Sequence, residues 1–238
     1  MVEPGTLYVV ATPIGNLAEM SPRASAILAG VGLIAAEDTR RAGKLLGDQP
    51  QASRPRFVSL NAHNYAARMP DLMAQLAGGA AIALVSDAGT PAVSDPGGAV
   101  VAAAWEHGHR VVPVAGPSAV AAALSVAGFP AERYLFAGYV PKKPGRRARY
   151  LEWIDQVGET AVLFETPHRI AGTLAELAGR WPDRQALLAR ELTKLHEELI
   201  RSTLSELAAA TAGRAWRGEI TIVLAPPGRG RKETEQDV

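Results

Sequence analysis

No cysteine occurs among the 238 residues, which excludes disulfides, thiolate nucleophiles and cysteine-bound metals. An excess of either charge is also missing. The 25 basic and 24 acidic residues leave a formal +1, so the chain is not one that coats nucleic acid indiscriminately, and any polyanion site has to be local. No run approaches the roughly 18 apolar residues of a membrane span, and the amino-terminal MVEPGTLYVVATPIG lacks the basic start of a secretion signal. These absences set the expectation of a cytoplasmic protein without a membrane partner. The histidines His63, His107, His109, His168 and His196 show no HExxH or comparable spacing, and no metal site is expected. The first strand-to-helix turn, VVATPIGNLAEMS, has the single glycine Gly15 in place of GxGxxG, and neither GxxxxGK[ST] nor GxSxG occurs. A nicotinamide enzyme, a P-loop enzyme and an α/β-hydrolase thereby lose their usual signatures.

What is present is core: 47% of the residues are hydrophobic, enough for one large α/β domain or two small ones. Short apolar runs at 7–11, 32–36, 57–60, 81–85 and 111–114 alternate with helical patterns at 22–29, 40–46, 66–76 and 98–106. That alternation predicts a largely parallel sheet with helices on both faces. The segment VAGPSAVAAALSVAGFP, with Pro117 and Ser118 at the start of a small-residue helix, reads as the passage to a second domain. There, strands are expected at 134–137, 161–164, 186–189, 198–203 and 219–224, and helices at 147–154, 167–178 and 205–210. Two of these strands adjoin without a helix, which points to a mixed sheet. The expected organisation is an α/β domain over 1–115, a second over 116–225, and a disordered tail, PPGRGRKETEQDV, over 226–238.

The stretch IALVSDAGTPAVSDPGGAVVAAA, 82–104, breaks a buried strand with acids, glycines and prolines before resuming as a helix. Glycine permits close backbone approach and proline limits the loop's freedom, which suits ligand capture at a strand's carboxyl end. An ordinary connection is the alternative, with Asp95 as N-cap and Pro96 at the first helical position. A second unusual stretch, YVPKKPGRRARY, concentrates Lys142, Lys143, Arg146, Arg147 and Arg149 at a helix start. Cations are mildly unfavourable there, and the mismatch favours a partner. They suit RNA phosphates, with Tyr139 or Tyr150 stacking on a base, and no sequence readout is implied.

Six motifs in order, LYVVATPIGNL, AAEDTR, ALVSDAGTPAVSDPG, PVAGPSAVAAAL, FETPHR and ARELTK, resemble the tetrapyrrole methylase superfamily of S-adenosylmethionine-dependent enzymes. Within it they are most similar to the bacterial enzymes that 2′-O-methylate a cytidine ribose of 16S rRNA. The resemblance covers residues 6 to about 225. It implies two α/β domains with S-adenosylmethionine folded in a cleft between them. It also implies donor-binding positions at Asp87, Gly89, Thr90, Val93 and Ser94, with Pro13 and Gly15 from the first loop and Ser118 and Ala119 from the interdomain segment. The implied partner is 16S rRNA within the small ribosomal subunit, and the implied assembly is a homodimer. The chain departs from the pattern at Tyr65, where relatives commonly have an acid, and after residue 224, where many relatives carry a further helical extension.

Methyl transfer to a ribose hydroxyl needs in-line positioning, a cation to stabilise the emerging alkoxide and a group to take the proton. Candidates are Glu37, Asp38 and Arg40 after the second strand, His63 and Asn64 after the third, and Glu191 and Lys194 in ARELTK. Arg40 and Lys194 are the preferred cations, and Glu37 or His63 the preferred proton acceptors. The competing reading makes the carboxylates members of structural ion pairs and His63 a loop bridge. Two further functions stay open, a methylase of a tetrapyrrole or corrinoid and a nonenzymatic sensor of the donor, since fold alone does not fix activity.

Overall fold

The computed structural model describes residues 2–47, 55–95 and 97–228. The chain forms two compact units that divide after Ser118, whereas the sequence placed the boundary after 115. Residues 226–228 carry no regular structure, and the remainder of the expected tail, 229–238, lies outside the described residues.

Unit 1 contains the strands β1 (Thr6–Val10), β2 (Leu33–Ala36), β3 (Arg56–Ser59), β4 (Ile82–Val85) and β5 (Arg110–Val114), and the helices α1 (Pro22–Gly30), α2 (Thr39–Lys44), α3 (Tyr65–Ala77) and α4 (Gly98–Glu106). The sheet order is β3-β2-β4-β1-β5, and every pairing is parallel. Side chains alternate between two apolar layers, as a strand period of two dictates. Tyr8, Ile34, Ala83 and Val85 pack with Ala24, Ile27 and Leu28 of α1 and Ala42 of α2. Leu7, Leu33, Ile82 and Leu84 pack with Leu72 and Leu76 of α3 and Val100 and Ala104 of α4. Covering both faces explains why the strands read as unbroken apolar runs. Each fully buried leucine or isoleucine contributes about 1.5–3 kcal/mol by leaving water.

The start of α4 corrects the sequence reading. The cap position is Gly97, and Asp95 instead accepts the Gly97 amide through Oδ1 at 2.8 Å within the preceding turn. Pro96 lies outside the described residues. A Cβ on Gly97 would stand 3.0 Å from Asp95 Oδ1 and 3.2 Å from Leu84 Cδ2, so a larger residue would have to displace these side chains.

Unit 2 contains α5 (Ala119–Ala127), β6 (Tyr134–Tyr139), α6 (Pro144–Val157), β7 (Thr160–Glu165), α7 (Ile170–Arg180), β8 (Gln185–Arg190), β9 (Glu198–Thr203), α8 (Leu204–Thr211) and β10 (Ile220–Leu224). Its sheet runs β6-β7-β10-β8-β9. Only β6 and β7 are parallel. Helix α5 covers one face through Val120, Ala123 and Leu124, and α6, α7 and α8 cover the other through Leu151, Ile154, Leu174, Leu177 and Leu207. Helix α6 is longer than the sequence reading, opened by Pro144 and closed by Gly158 at φ 70°, the left-handed geometry that favours glycine. Helix α7 starts later than expected, because Thr166–Arg169 is a turn whose carbonyl at Thr166 accepts the amides of Arg169 and Ile170. Among the described residues no helix is long and apolar enough to cross a membrane.

Candidate functional site

Within unit 1, β1 and β4 are neighbours at the middle of the sheet. The helix that follows β1 packs on one face and the helix that follows β4 on the other. The chain therefore leaves two adjacent carboxyl ends in opposite directions, which opens a crevice suited to a ligand. Short-range bonds knit the loops at this end together. Thr12 and Gly89 exchange both backbone hydrogen bonds, at 2.9 and 3.0 Å. The Thr90 hydroxyl donates to the Pro117 carbonyl at 3.3 Å. A Cβ on Gly116 would meet Ala11 Cβ at 3.0 Å, so the loops after β1 and β5 also pass at backbone contact.

This end of unit 1 accordingly collects most of the residues singled out for donor binding. Pro13 is buried, Gly15 exposed, and Val93 and Ser94 exposed in the loop after β4. Gly89 has φ 78°, and Ala92 and Ser94 adopt φ 69° and 59°. Left-handed geometry at two non-glycine residues costs of order 1–3 kcal/mol each, and such strain gathers at ligand-binding loops. Ser118 is engaged with a neighbour, and Ala119 is the first residue of α5 in unit 2.

Asp87 and the AAEDTR motif are joined. Asp87 Oδ1 accepts the Asp38 amide at 3.0 Å, and its Oδ2 lies 3.2 Å from Arg41. Asp38 caps α2 by accepting the Arg40 amide, and it also holds the Arg40 guanidinium, at 2.8 Å from Nη2. These bonds hold the Asp38 carboxyl well below the usual range. Arg40 thus forms a local, exposed pair with its own helix cap. Glu37 is different. Burial raises its pKa, and the charges of Asp87 and Asp95 raise it further, against a smaller opposing effect of Arg41. After β3, NAHN is a closed turn in which Asn64 Oδ1 accepts the Asn61 amide at 2.8 Å and Asn64 Nδ2 donates to Ser59 at 3.1 Å. His63 is left exposed at its tip, and Tyr65 begins α3.

In unit 2 the ARELTK loop follows β8. Lys194 Nζ donates to Glu191 at 2.8 Å and to Glu219 at 3.0 Å. Burial opposes the Lys194 charge, but the two carboxylates outweigh it and lift the ammonium above the ordinary lysine range. Burial likewise works against the Glu191 charge, yet the Lys194 and Glu219 hydrogen bonds bring its carboxyl below the usual value. Glu191 and Thr193 adopt φ 52° and 65°, and a Cβ on Gly218 would fall inside the Glu191 carboxyl. Of the two sequence readings for Glu191, the ion-pair one is what the geometry displays: it is bound to Lys194 in a strained loop.

FETPHR builds a buried hub. The Glu165 side chain is 0% exposed and pairs with Arg169 Nη2 at 2.5 Å, while accepting the Thr166 amide at 2.6 Å and the Thr173 hydroxyl at 2.7 Å. Arg169 Nη1 reaches back to the Val140 carbonyl at 2.8 Å and so fixes the start of the basic loop. Of that loop, Lys142, Lys143, Arg146 and Arg149 are exposed. Arg147 is anchored where the others are not: its guanidinium pairs with Glu176 and donates to Thr173 at 3.1 Å. The Tyr139 ring is exposed and packs edge-on against Phe164. Tyr150 is turned inward, and its hydroxyl donates to Ala137 and Gly138, which removes it as a stacking surface.

Sequence reasoning passed over Arg41, Asp95, Glu165, His168 and Glu219 as site residues. For Glu165 and His168 the signal was at hand, because FETPHR stood out as a motif without an assigned role. Glu219 carries no local signal, since its partner Lys194 lies 25 positions away in sequence.

Comparison with known proteins gives a consistent result. Residues 6–208 match the family of Tetrapyrrole (Corrin/Porphyrin) Methylases. A Neisseria meningitidis protein named ribosomal RNA small subunit methyltransferase I is 46% identical over 93% of this chain and 76% of its own length. The protein of the same name from Thermotoga maritima is 40% identical over 92% of this chain and 98% of its own. Among solved structures, diphthine synthase aligns over 92% of this chain and 90% of its own with a TM-score of 0.72 at 15% identity. A cobalt precorrin-4 methyltransferase covers 93% and 95% with a TM-score of 0.65 at 15% identity. At that identity the likeness is one of fold.

Proposed function

The chain belongs to the tetrapyrrole methylase family, and we propose that it is an rRNA methyltransferase that uses S-adenosylmethionine to methylate the ribose 2′-hydroxyl of a cytidine in 16S rRNA. The relatives at 40–46% identity, all named as small-subunit rRNA methyltransferases, support the RNA substrate. The observation that carries the reading is the cluster of loops at the switch point of unit 1, where Thr12 and Gly89 exchange backbone bonds, Thr90 reaches Pro117 and Asp87 accepts the Asp38 amide. Burial raises the Glu37 pKa, and the Asp87 and Asp95 charges raise it further. A ligand bearing a sulfonium and an ammonium relieves that repulsion. The residues present fit such a donor in two further ways: the left-handed Gly89 lets backbone approach a ligand, and Val93 offers exposed apolar surface in the same loop.

The donor supplies a methyl group on positively charged sulfur, and positioning is left to the protein. In this reading Asp87, Gly89, Thr90, Val93 and Ser94, with Pro13, Gly15, Ser118 and Ala119, hold the donor. Glu37 takes the proton from the ribose hydroxyl, with His63 as the alternative acceptor. Lys194, kept charged by two carboxylates, and Arg40 are the cations for the developing alkoxide. The basic loop, with Lys142, Lys143, Arg146, Arg147 and Arg149, draws the RNA backbone to unit 2, and Tyr139 offers a stacking face. The protein acts in the cytoplasm on the small ribosomal subunit, as a homodimer.

The test supplies methyl-labelled donor with unmodified small subunits, with protein-free 16S rRNA and with a tetrapyrrole, followed by nucleoside digestion. Label in 2′-O-methylcytidine supports the proposal. Label in the tetrapyrrole alone replaces it with the small-molecule reading, and donor binding without transfer to any acceptor leaves the sensor reading.

A further inference from the structure

A groove of about 650 Å³ lies in unit 2 between the starts of α6 and α7, lined by Lys142, Pro144, Arg147, Ala148, His168, Arg169, Gly172 and Glu176. We infer that this groove is a binding site for a single backbone phosphate of the RNA substrate, clamped by Lys142, Arg147 and His168. The inference rests on the RNA reading above and narrows it from a diffuse basic loop to one pocket.

The division of labour among the cations supports this. Arg169 spends all three of its nitrogens inside the protein, on Thr166, Val140 and Glu165, so it is a brace and not a contact. Arg147 is held from one side only. Its Nε faces Glu176 and its Nη2 faces Thr173, and Nη1 makes no hydrogen bond among the described residues. A guanidinium oriented by a carboxylate on one edge, with a donor free on the other, is pre-arranged to donate to a phosphate oxygen. Lys142 and His168 are exposed on the same walls and form no ion pair among the described residues.

Helix α6 has 14 residues and α7 has 11, and neither carries a side-chain cap or an acidic residue in its first turn. Neither helix thus places a carboxylate of its own first turn where it would repel an anion. Lys143, Arg146 and Arg149 stand outside the lining, and they act on RNA only through long-range attraction.

The experiment compares binding of the full chain to unmodified small subunits across several salt concentrations for wild type, Lys142→Ala, His168→Ala and the off-groove pair Lys143→Ala with Arg149→Ala. Thermal melting confirms that each variant is folded, and donor affinity serves as the internal control. Lys142→Ala should weaken binding about tenfold and reduce the salt slope by roughly one contact. His168→Ala should weaken it several-fold. The off-groove pair, although it removes two charges, should weaken binding less than Lys142→Ala does. Equal or greater loss in the off-groove pair, or unchanged affinity in His168→Ala, would overturn the pocket while leaving the RNA reading in place. Failure of the wild type to bind subunits would remove the RNA reading and the pocket together.

Discussion

Replacing Glu165 by alanine tests the hub that FETPHR builds. The side chain is fully buried and Arg169 is 21% exposed, so truncation leaves a guanidinium without its carboxylate in a poorly solvated place. Breaking one partner of a buried pair costs about 3–5 kcal/mol. Arg169 keeps its bonds to Val140 and Thr166, which puts the expected loss near the lower end, about 3 kcal/mol. Glu165→Gln preserves shape and can still accept from Thr173, so it should lose only the charge-assisted part, about 1.5–3 kcal/mol. A control nearby, on α7, is Glu176→Ala, whose carboxylate is 34% exposed and whose ion pair with Arg147 should be worth about 0.2–1 kcal/mol after solvent screening. Urea unfolding followed by tryptophan fluorescence suits the measurement, because Trp153, Trp181 and Trp216 lie in unit 2 and Trp105 in unit 1. The signal is fitted with separate transitions for the two units. A Glu165→Ala protein within 1 kcal/mol of wild type, or one no worse than Glu176→Ala, would refute the reasoning.

Lys194→Ala should lower the single-turnover methylation rate by about 10² with donor affinity retained, if its charge meets developing negative charge; a near-normal rate at saturating RNA rejects that role. Glu37→Gln should weaken donor binding and, at neutral pH, raise stability. The sign follows from the raised Glu37 pKa: its contribution to stability is full below the unfolded value and is lost as pH rises through the folded one. The melting-temperature gain of the glutamine variant should therefore shrink toward pH 4, and a gain independent of pH would contradict the assignment. Gly218→Ala should destabilise unit 2 by about 1–2 kcal/mol from the left-handed backbone alone, and more from the displaced Glu191 carboxyl; an unaffected midpoint in denaturant would count against the packing described.

The strands were legible because burial on both faces leaves little but aliphatic residues, as in LIAA and IALV. Helix boundaries were less so, for reasons specific to each. Asp95 looked like a cap from its neighbours, yet its side chain closes a turn one step earlier. Pro144 opens α6 three residues before its apolar pattern begins, where only lysine, arginine and glycine surround it. The donor-loop motifs could be recognised, but how they are held together could not. The Asp87 to Asp38 bond spans 49 positions and the Thr90 to Pro117 bond 27, and nothing in local periodicity encodes either. Arg147 shows the limit most clearly. Five cations in one loop are equivalent on paper, and only the placement of Glu176 and Thr173 on the facing helix separates the one that is anchored from those that are not.

The paired backbone bonds between Thr12 and Gly89 have a consequence for kinetics. Neither amide can reach solvent while both bonds hold, so the loops after β1 and β4 must part before either proton exchanges. The two should then exchange with deuterium as one cooperative event, at a common rate and with a common temperature dependence. A ligand that grips only one of these loops would slow exchange at both, and the protection it confers at Thr12 would report occupancy of the loop around Gly89.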